Sequence, residues 1–220
     1  MVLVKICGIT NLSDARAACE AGANFLGFNF YEKSPRHIAP ADASKIRSQL
    51  PQNVEAVGIF VNAKPATVAS HSASVPLDAA QLHGDETPST VADVARAIRV
   101  FKAFRVGPDF SLATLDQYPG AFAYLLDASH AGQYGGTGRT TDWAIARRAA
   151  LSSRIILAGG LKVENVAAAI RLVRPFAVDV ASGVESKPGK KDHGRLRDFI
   201  QEVRRAERQL EEQPEISRES

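Results

Sequence analysis

Cysteine is scarce in this chain: Cys7 and Cys19 are the only two among 220 residues. They fall on a strand end and on the helix that follows, so a disulfide has no support and a reducing cytoplasm is the simpler setting. Neither belongs to a C-x-x-C pair, and His37, His71, His83, His130 and His193 form no short ligand pair, so no metal is expected. No apolar run reaches membrane-spanning length. The N-terminus opens as a strand, without a basic region ahead of an apolar one, and no signal peptide is expected. The G-x-G-x-x-G fingerprint does not follow the first strand, and neither a P-loop nor a G-x-S-x-G elbow occurs. Net charge is only +3. The basic residues are scattered, and in the last helix they alternate with Glu, which is a solvated face rather than a nucleic-acid stripe. The mild positive excess suits a small anionic substrate.

What the chain does contain is alternation. Hydrophobic residues make up 45% and charged residues 23%, ordinary values for a soluble globular domain. Apolar, β-branched runs at 2–6, 24–30, 54–61, 79–82, 100–104, 122–126, 154–157 and 176–180 read as strands. Between them, helical patterns are expected at 12–21, from Pro40, from Pro65, and over 88–98, 109–118, 142–150, 163–172 and 196–206. Asn11 or Ser13 caps the first, and Cys19 packs on its inner face. Eight such units of about 25 residues predict a closed (β/α)8 TIM barrel in a single domain, residues 1–206. The missing dinucleotide fingerprint speaks against an open doubly wound sheet. A glycine-rich loop is expected over 128–139, and the charged stretch 207–220, with Pro214, reads as a disordered tail.

Barrel chemistry sits at the carboxyl ends of the strands, so the residues there are the candidates. Cys7 closes the first strand as either a base or an inert core thiol, and a free thiol needs nearby positive charge to ionise at neutral pH. Asp127 leaves the apolar run of strand six; desolvation there would raise its pKa and suit it to general acid work, whereas a solvated aspartate would only cap the loop. Gly159-Gly160 after strand seven and Ser182-Gly183 after strand eight occupy the two loops that frequently hold phosphate in barrels. Arg36, in the loop after strand two, is a surface arginine or a clamp for a substrate carboxylate. His83 ends strand four, either as a hydrogen-bonding group at the mouth or as a structural imidazole. Asp179 lies inside strand eight, where an acidic residue needs a partner such as a basic side chain.

These motifs resemble a known family. Lys5-Ile6-Cys7-Gly8-Ile9-Thr10, Gln81-Leu82-His83-Gly84, Leu125-Leu126-Asp127, Gly135-Gly136-Thr137-Gly138, Asp142-Trp143, Gly159-Gly160-Leu161 with Asn165-Val166, and Asp179 to Glu185 with Gly189-Lys190-Lys191-Asp192 are similar, in order, to phosphoribosylanthranilate isomerases of tryptophan biosynthesis. The resemblance implies a barrel enzyme that converts N-(5-phosphoribosyl)anthranilate into 1-(2-carboxyphenylamino)-1-deoxyribulose 5-phosphate. This is an Amadori rearrangement, without cofactor, and the third step from chorismate. It implies Cys7 as general base, Asp127 as general acid, Arg36 on the anthranilate carboxylate, and the two glycine loops on the phosphate. It places a flexible loop, 133–139, over the site. Asn29, which interrupts the apolar end of strand two, departs from the family pattern. The expected partner is a small phosphosugar, with no nucleic acid or membrane, for a cytoplasmic monomer or homodimer. A histidine-pathway isomerase on the same barrel would carry an aspartate in place of Cys7, and a non-catalytic phosphate-binding barrel would not need Cys7 and Asp127 together.

Overall fold

Strand alternation decides the architecture. In the computed structural model, which describes residues 1–107, 110–127 and 143–212, eight parallel strands close in sequence order into one barrel. They are β1 (Leu3–Cys7), β2 (Phe25–Asn29), β3 (Glu55–Phe60), β4 (Ala79–Leu82), β5 (Arg99–Arg105), β6 (Ala123–Asp127), β7 (Ile155–Leu157) and β8 (Ala177–Val180). Helices α1 (Leu12–Ala21), α2 (Pro40–Arg47), α3 (Pro65–Ser74), α4 (Pro88–Ala95), α5 (Ala113–Asp116), α6 (Trp143–Ala150), α7 (Val163–Val173) and α8 (His193–Glu212) surround it. The expected (β/α)8 barrel is the observed fold. Among the described residues, no helix is long and apolar enough to cross a membrane.

Each strand sends alternate side chains to opposite faces, and the barrel gives each face its own core. Outward residues such as Val4, Ile6, Leu26, Phe28, Val178 and Val180 pack against helix alanines, including Ala15, Ala18, Ala43, Ala146 and Ala169. Inward residues form a separate cluster of Phe25, Val57, Ala79, Phe101, Ala103, Ala123, Leu125, Ile156 and Ala177. Phe25 and Phe101 meet edge-to-face at 5.7 Å and fill the barrel, while the alanines opposite leave them room. One layer nearer the carboxyl ends the interior turns polar, with Lys5, Gln81 and Asp179 all buried. This polar layer is the floor of the mouth.

Local signals fix several helix ends. Pro40, Pro65 and Pro88 each occupy the first turn of their helix, where the missing N–H costs nothing. Asn11 caps α1: its side-chain oxygen accepts the Asp14 N–H at 2.9 Å. Asn11→Ala is expected to lower stability by about 1 kcal/mol, read from a urea midpoint at unchanged slope. Asp14, buried on the same helix, accepts from the Lys191 backbone N–H and pairs with His193 Nε2, each at 2.8 Å.

Two features differ from the sequence expectation. Helix α8 does not end near Ala206 but runs to Glu212, so the first part of the expected tail is helical. Arg204 pairs with Glu207 at 2.7 Å, Arg205 with Glu202 at 3.5 Å, and Leu210 still packs on the core. Residues 213–220 lie outside the described residues. After β8, a single 3-10 turn (Ser182–Val184) leads into a hairpin, β9 (Glu185–Lys187) and β10 (Lys190–Lys191), that the sequence reading did not include.

Candidate active site

The carboxyl ends of five consecutive strands form one arc of the mouth. Asp127 ends β6, the Gly159-Gly160 turn follows β7, Ser182-Gly183 follows β8, Cys7 ends β1, and Arg36 lies in the loop after β2. Closure of the barrel thus puts both glycine loops between Asp127 and Cys7.

Cys7 is half-buried and not disulfide-bonded. Two residues earlier, on the same face of β1, the fully buried Lys5 reaches Asp179 Oδ1 at 2.9 Å; the two are register neighbours across β1 and β8. From the other side, Lys191 donates to the backbone carbonyl of Cys7 and pairs with Glu185 Oε1 at 2.9 Å. Burial pushes the Cys7 thiol up, the Lys5 ammonium pulls it down, the Asp179 carboxylate pushes it up again and Lys191 pulls it down; the balance lies above the ordinary value of 9.0. The resting group is a thiol, and its thiolate is a stronger base than a free cysteine's.

Arg36 is not a free surface arginine. Its Nε and Nη2 form a fork onto Glu185, with Nε 2.9 Å from Oε1 and Nη2 2.6 Å from Oε2. Nη1 makes no hydrogen bond among the described residues. Gly8, at φ +75°, lets the arginine lie across the turn after β1: a Cβ there would sit 2.5 Å from Arg36 Cδ. Asn29, which broke the apolar pattern of its strand, organises the loop that carries Arg36. It accepts from Tyr31 N–H at 2.9 Å and donates to Ser34 Oγ at 3.0 Å, and Ser34 Oγ accepts the Arg36 N–H at 3.1 Å.

The glycine loops touch backbone to backbone. A Cβ on Gly183 would come within 2.0 Å of the Leu161 carbonyl oxygen, so only glycine allows loop eight to lie this close to loop seven. Gly159 and Gly160 both have positive φ, and Asn165 stitches their turn to the start of α7, donating to Gly160 O at 2.9 Å and accepting from Lys162 N–H at 2.8 Å. The result is a pair of adjoining backbone turns at a helix N-terminus, a geometry suited to an anion.

Asp127 is 23% exposed, so the enclosure expected from its apolar strand is incomplete; what faces it is His83, whose Nε2 lies 3.6 Å from Asp127 Oδ2. His83 Nδ1 in turn lies 2.8 Å from Gln81 Nε2. His83 is therefore both held from below and placed at the mouth, and Asp179 has its basic partner in Lys5. Below the turn after β4, the buried Lys102 ammonium is ringed by Gly84 O and Glu86 Oε2 at 2.8 Å and Ala103 O at 3.1 Å, which fixes the backbone carrying His83.

The sequence reading gave no role to Lys5, Gln81, Glu185 or Lys191. Lys5 and Gln81 carried a usable signal: each is a polar residue two positions before a mouth residue in an otherwise apolar strand, hence on the same face. Glu185 and Lys191 carried none, because Arg36 and the Cys7 carbonyl, which they hold, lie far away in the chain. The expected glycine-rich loop 128–139, the segment 133–139 expected to cover the site, and Asp142 lie outside the described residues.

Comparison with known proteins shows which family the barrel is similar to. The profile of the family described as N-(5'phosphoribosyl)anthranilate (PRA) isomerase matches residues 4–202. The N-(5'-phosphoribosyl)anthranilate isomerase of Trichlorobacter lovleyi is 51% identical over 207 residues, covering 94% of this chain and 100% of that protein. The crystal structure of phosphoribosyl anthranilate isomerase from Thermotoga maritima superimposes with a TM-score of 0.87 at 45% identity, covering 93% of this chain and 99% of that one. A phosphoribosyl anthranilate isomerase solved in complex with reduced 1-(o-carboxyphenylamino)-1-deoxyribulose 5-phosphate superimposes with a TM-score of 0.84 at 43% identity, again covering 93% and 99%. Fold and sequence agree over nearly the whole barrel: the chain belongs to the N-(5'-phosphoribosyl)anthranilate isomerase family.

Proposed function

We propose that the protein isomerises N-(5-phosphoribosyl)anthranilate to 1-(2-carboxyphenylamino)-1-deoxyribulose 5-phosphate, with Asp127 as acid and Cys7 as base. The observation that carries this reading is the arc of the mouth, which sets a carboxyl group and a thiol on either side of two adjoining glycine turns. A phosphosugar anchored on the Gly159-Gly160 and Ser182-Gly183 backbone then has its ring between Asp127 and Cys7. Beyond Cys7, the free Nη1 edge of Arg36 takes the anthranilate carboxylate while Glu185 holds the guanidinium in plane.

The chemistry follows from these positions. Asp127 gives its proton to the ring oxygen, the C1–O bond breaks, and the nitrogen lone pair forms an iminium. The iminium draws electrons from C2, whose proton passes to the Cys7 thiolate; the C–H pair becomes a C1=C2 bond and the iminium pair returns to nitrogen. The enolamine then gains a proton at C1 and loses one from the C2 hydroxyl, giving the ketone and no net change in protons. An acid and a base held in separate environments suit such a sequence. The two half-buried free thiols suit a reducing cytoplasm.

Phosphoribosylanthranilate generated in situ and followed by anthranilate fluorescence tests the reading. Wild-type protein is expected to consume it well above background, and a folded protein with no activity would overturn the assignment. Gly183→Ala tests the phosphate anchor. Its Cβ forces loop eight away from Leu161, so KM is expected to rise about tenfold or more while kcat changes less, the pattern of lost uniform binding. An unchanged KM would remove loop eight from the phosphate site.

A further inference from the structure

Gln81 is 1% exposed, on the inward face of β4, two residues beyond Ala79 and paired in register with Phe101 on β5. An aliphatic side chain would fill that place with no polar atom to satisfy. The amide nitrogen is used, 2.8 Å from His83 Nδ1, but Oε1 is buried with no hydrogen-bond partner among the described residues. Turning the amide over would leave both N–H donors unpaired, in place of one N–H and one acceptor. It would also move the imidazole proton to Nδ1 and aim a bare Nε2 lone pair at the Asp127 carboxylate. The observed orientation is the one that keeps a proton on Nε2, facing Asp127 Oδ2 at 3.6 Å.

We propose that Gln81 and His83 act together as positioning residues for Asp127, with Gln81 selecting the His83 tautomer whose Nε2–H docks against Oδ2. This rests on the assignment of Asp127 as the acid. The separation in the ligand-free protein is longer than a hydrogen bond, and such contacts tighten when substrate fills the site. Oδ2 is then engaged, and Oδ1 is the oxygen turned to the substrate. When Asp127 has given up its proton, the Nε2–H stabilises the carboxylate that remains, so the contact strengthens as the ring opens. Ala103 on the intervening strand contributes only a methyl group to the layer below, and His83 and Asp127, on β4 and β6, can approach above it. The Lys102 ammonium fixes the turn behind His83, which removes freedom from the imidazole.

Two measurements test this. In wild-type protein, nitrogen-15 NMR of the histidine rings, with His83→Gln used to assign the signal, is expected to show the neutral His83 ring protonated at Nε2; protonation at Nδ1 overturns the proposal whatever the variants do. In turnover, Gln81→Leu is expected to lower kcat about tenfold with KM changed little, and His83→Leu to lower it further. His83→Gln, which keeps an N–H donor near the place of Nε2, is expected to recover most of the loss. Equal kcat in His83→Leu and wild type, or a loss in His83→Gln as large as in His83→Leu, overturns the positioning role. The assay separates this from the parent reading: inactive wild type would sink the isomerase assignment, whereas active wild type with an indifferent His83 sinks only this inference.

Discussion

Cys7→Ser is expected to lower kcat by about 10²–10⁴-fold while leaving the KM for the phosphosugar nearly unchanged. Serine keeps the shape of the side chain, so Lys5, Asp179 and the Lys191 contact to the Cys7 carbonyl are all retained. What is lost is the ionisable group itself, because a serine hydroxyl is a far weaker acid than a thiol. In wild type the thiol sits above its ordinary value of 9.0, because burial and Asp179 together outweigh Lys5 and Lys191. The sign of the pH effect follows. Only the thiolate accepts the C2 proton, so the Cys7 contribution to kcat/KM is a limb that rises with pH through the neutral range and levels off only on the alkaline side of 9.0, in a reaction that also requires the Asp127 proton. Cys7→Ser loses that limb. Asp127→Asn is expected to fall by a similar factor, because the amide has no proton to give the ring oxygen. A Cys7→Ser variant that turned over at the wild-type rate would leave the reaction in place and remove its base.

Lys5→Met is expected to cost about 3–5 kcal/mol of stability, the usual penalty for stranding one partner of a buried ion pair. For a chain of this length that is a fall of roughly 2–4 °C in Tm for each kcal/mol lost. Lys5 is wholly buried, and Asp179, only 9% exposed, has no second ion-pair partner among the described residues. The effect has its own pH signature. Burial pushes the Lys5 ammonium down, but Asp179 and Cys7 more than offset this and hold it above 10.5. A raised ammonium stabilises the fold fully below 10.5, and that contribution fades as pH climbs through the folded value. The advantage of wild type over Lys5→Met should therefore be flat through neutrality and shrink at high alkaline pH. Removing Lys5 also takes away the nearest cation pulling the Cys7 thiol down, so the alkaline limb of activity moves to still higher pH. In Lys5→Met/Asp179→Leu no buried charge is stranded, and much of the stability is expected to return without the activity. Urea midpoints and pH–rate profiles on the same preparations check both halves. An unchanged midpoint in Lys5→Met would show the pair to be energetically silent.

The sequence makes the frame legible because the barrel is a local repeat. Each strand, each Pro-led helix start and each strand-end residue can be read within a few positions of itself. Cys7, Asp127 and the two glycine loops are visible for the same reason: the fold rule turns chain position into mouth position. What the sequence hides is whatever depends on closure. Lys5 and Asp179 become neighbours only because β1 and β8 pair. Arg36 reads as a lone loop arginine because the carboxylate that holds it, Glu185, lies on a hairpin that follows the last strand. Helix α8 looks too charged to continue past Ala206, yet its charges pair along the helix while Leu210 reaches the core.

The seam between β1 and β8 has a consequence for how the enzyme is made. The acidic partner of Lys5 is synthesised 174 residues after it. At ordinary translation rates this is a delay on the order of ten seconds or more. During that interval the first strand lacks one of its two neighbours, and α8, whose Glu207 accepts the Val2 N–H and whose Arg204 binds the Val2 carbonyl, has not yet formed. The nascent chain therefore carries a thiol in a half-built sheet, with neither Asp179 nor Lys191 beside it. The surroundings of Cys7 are completed only in the event that finishes the barrel.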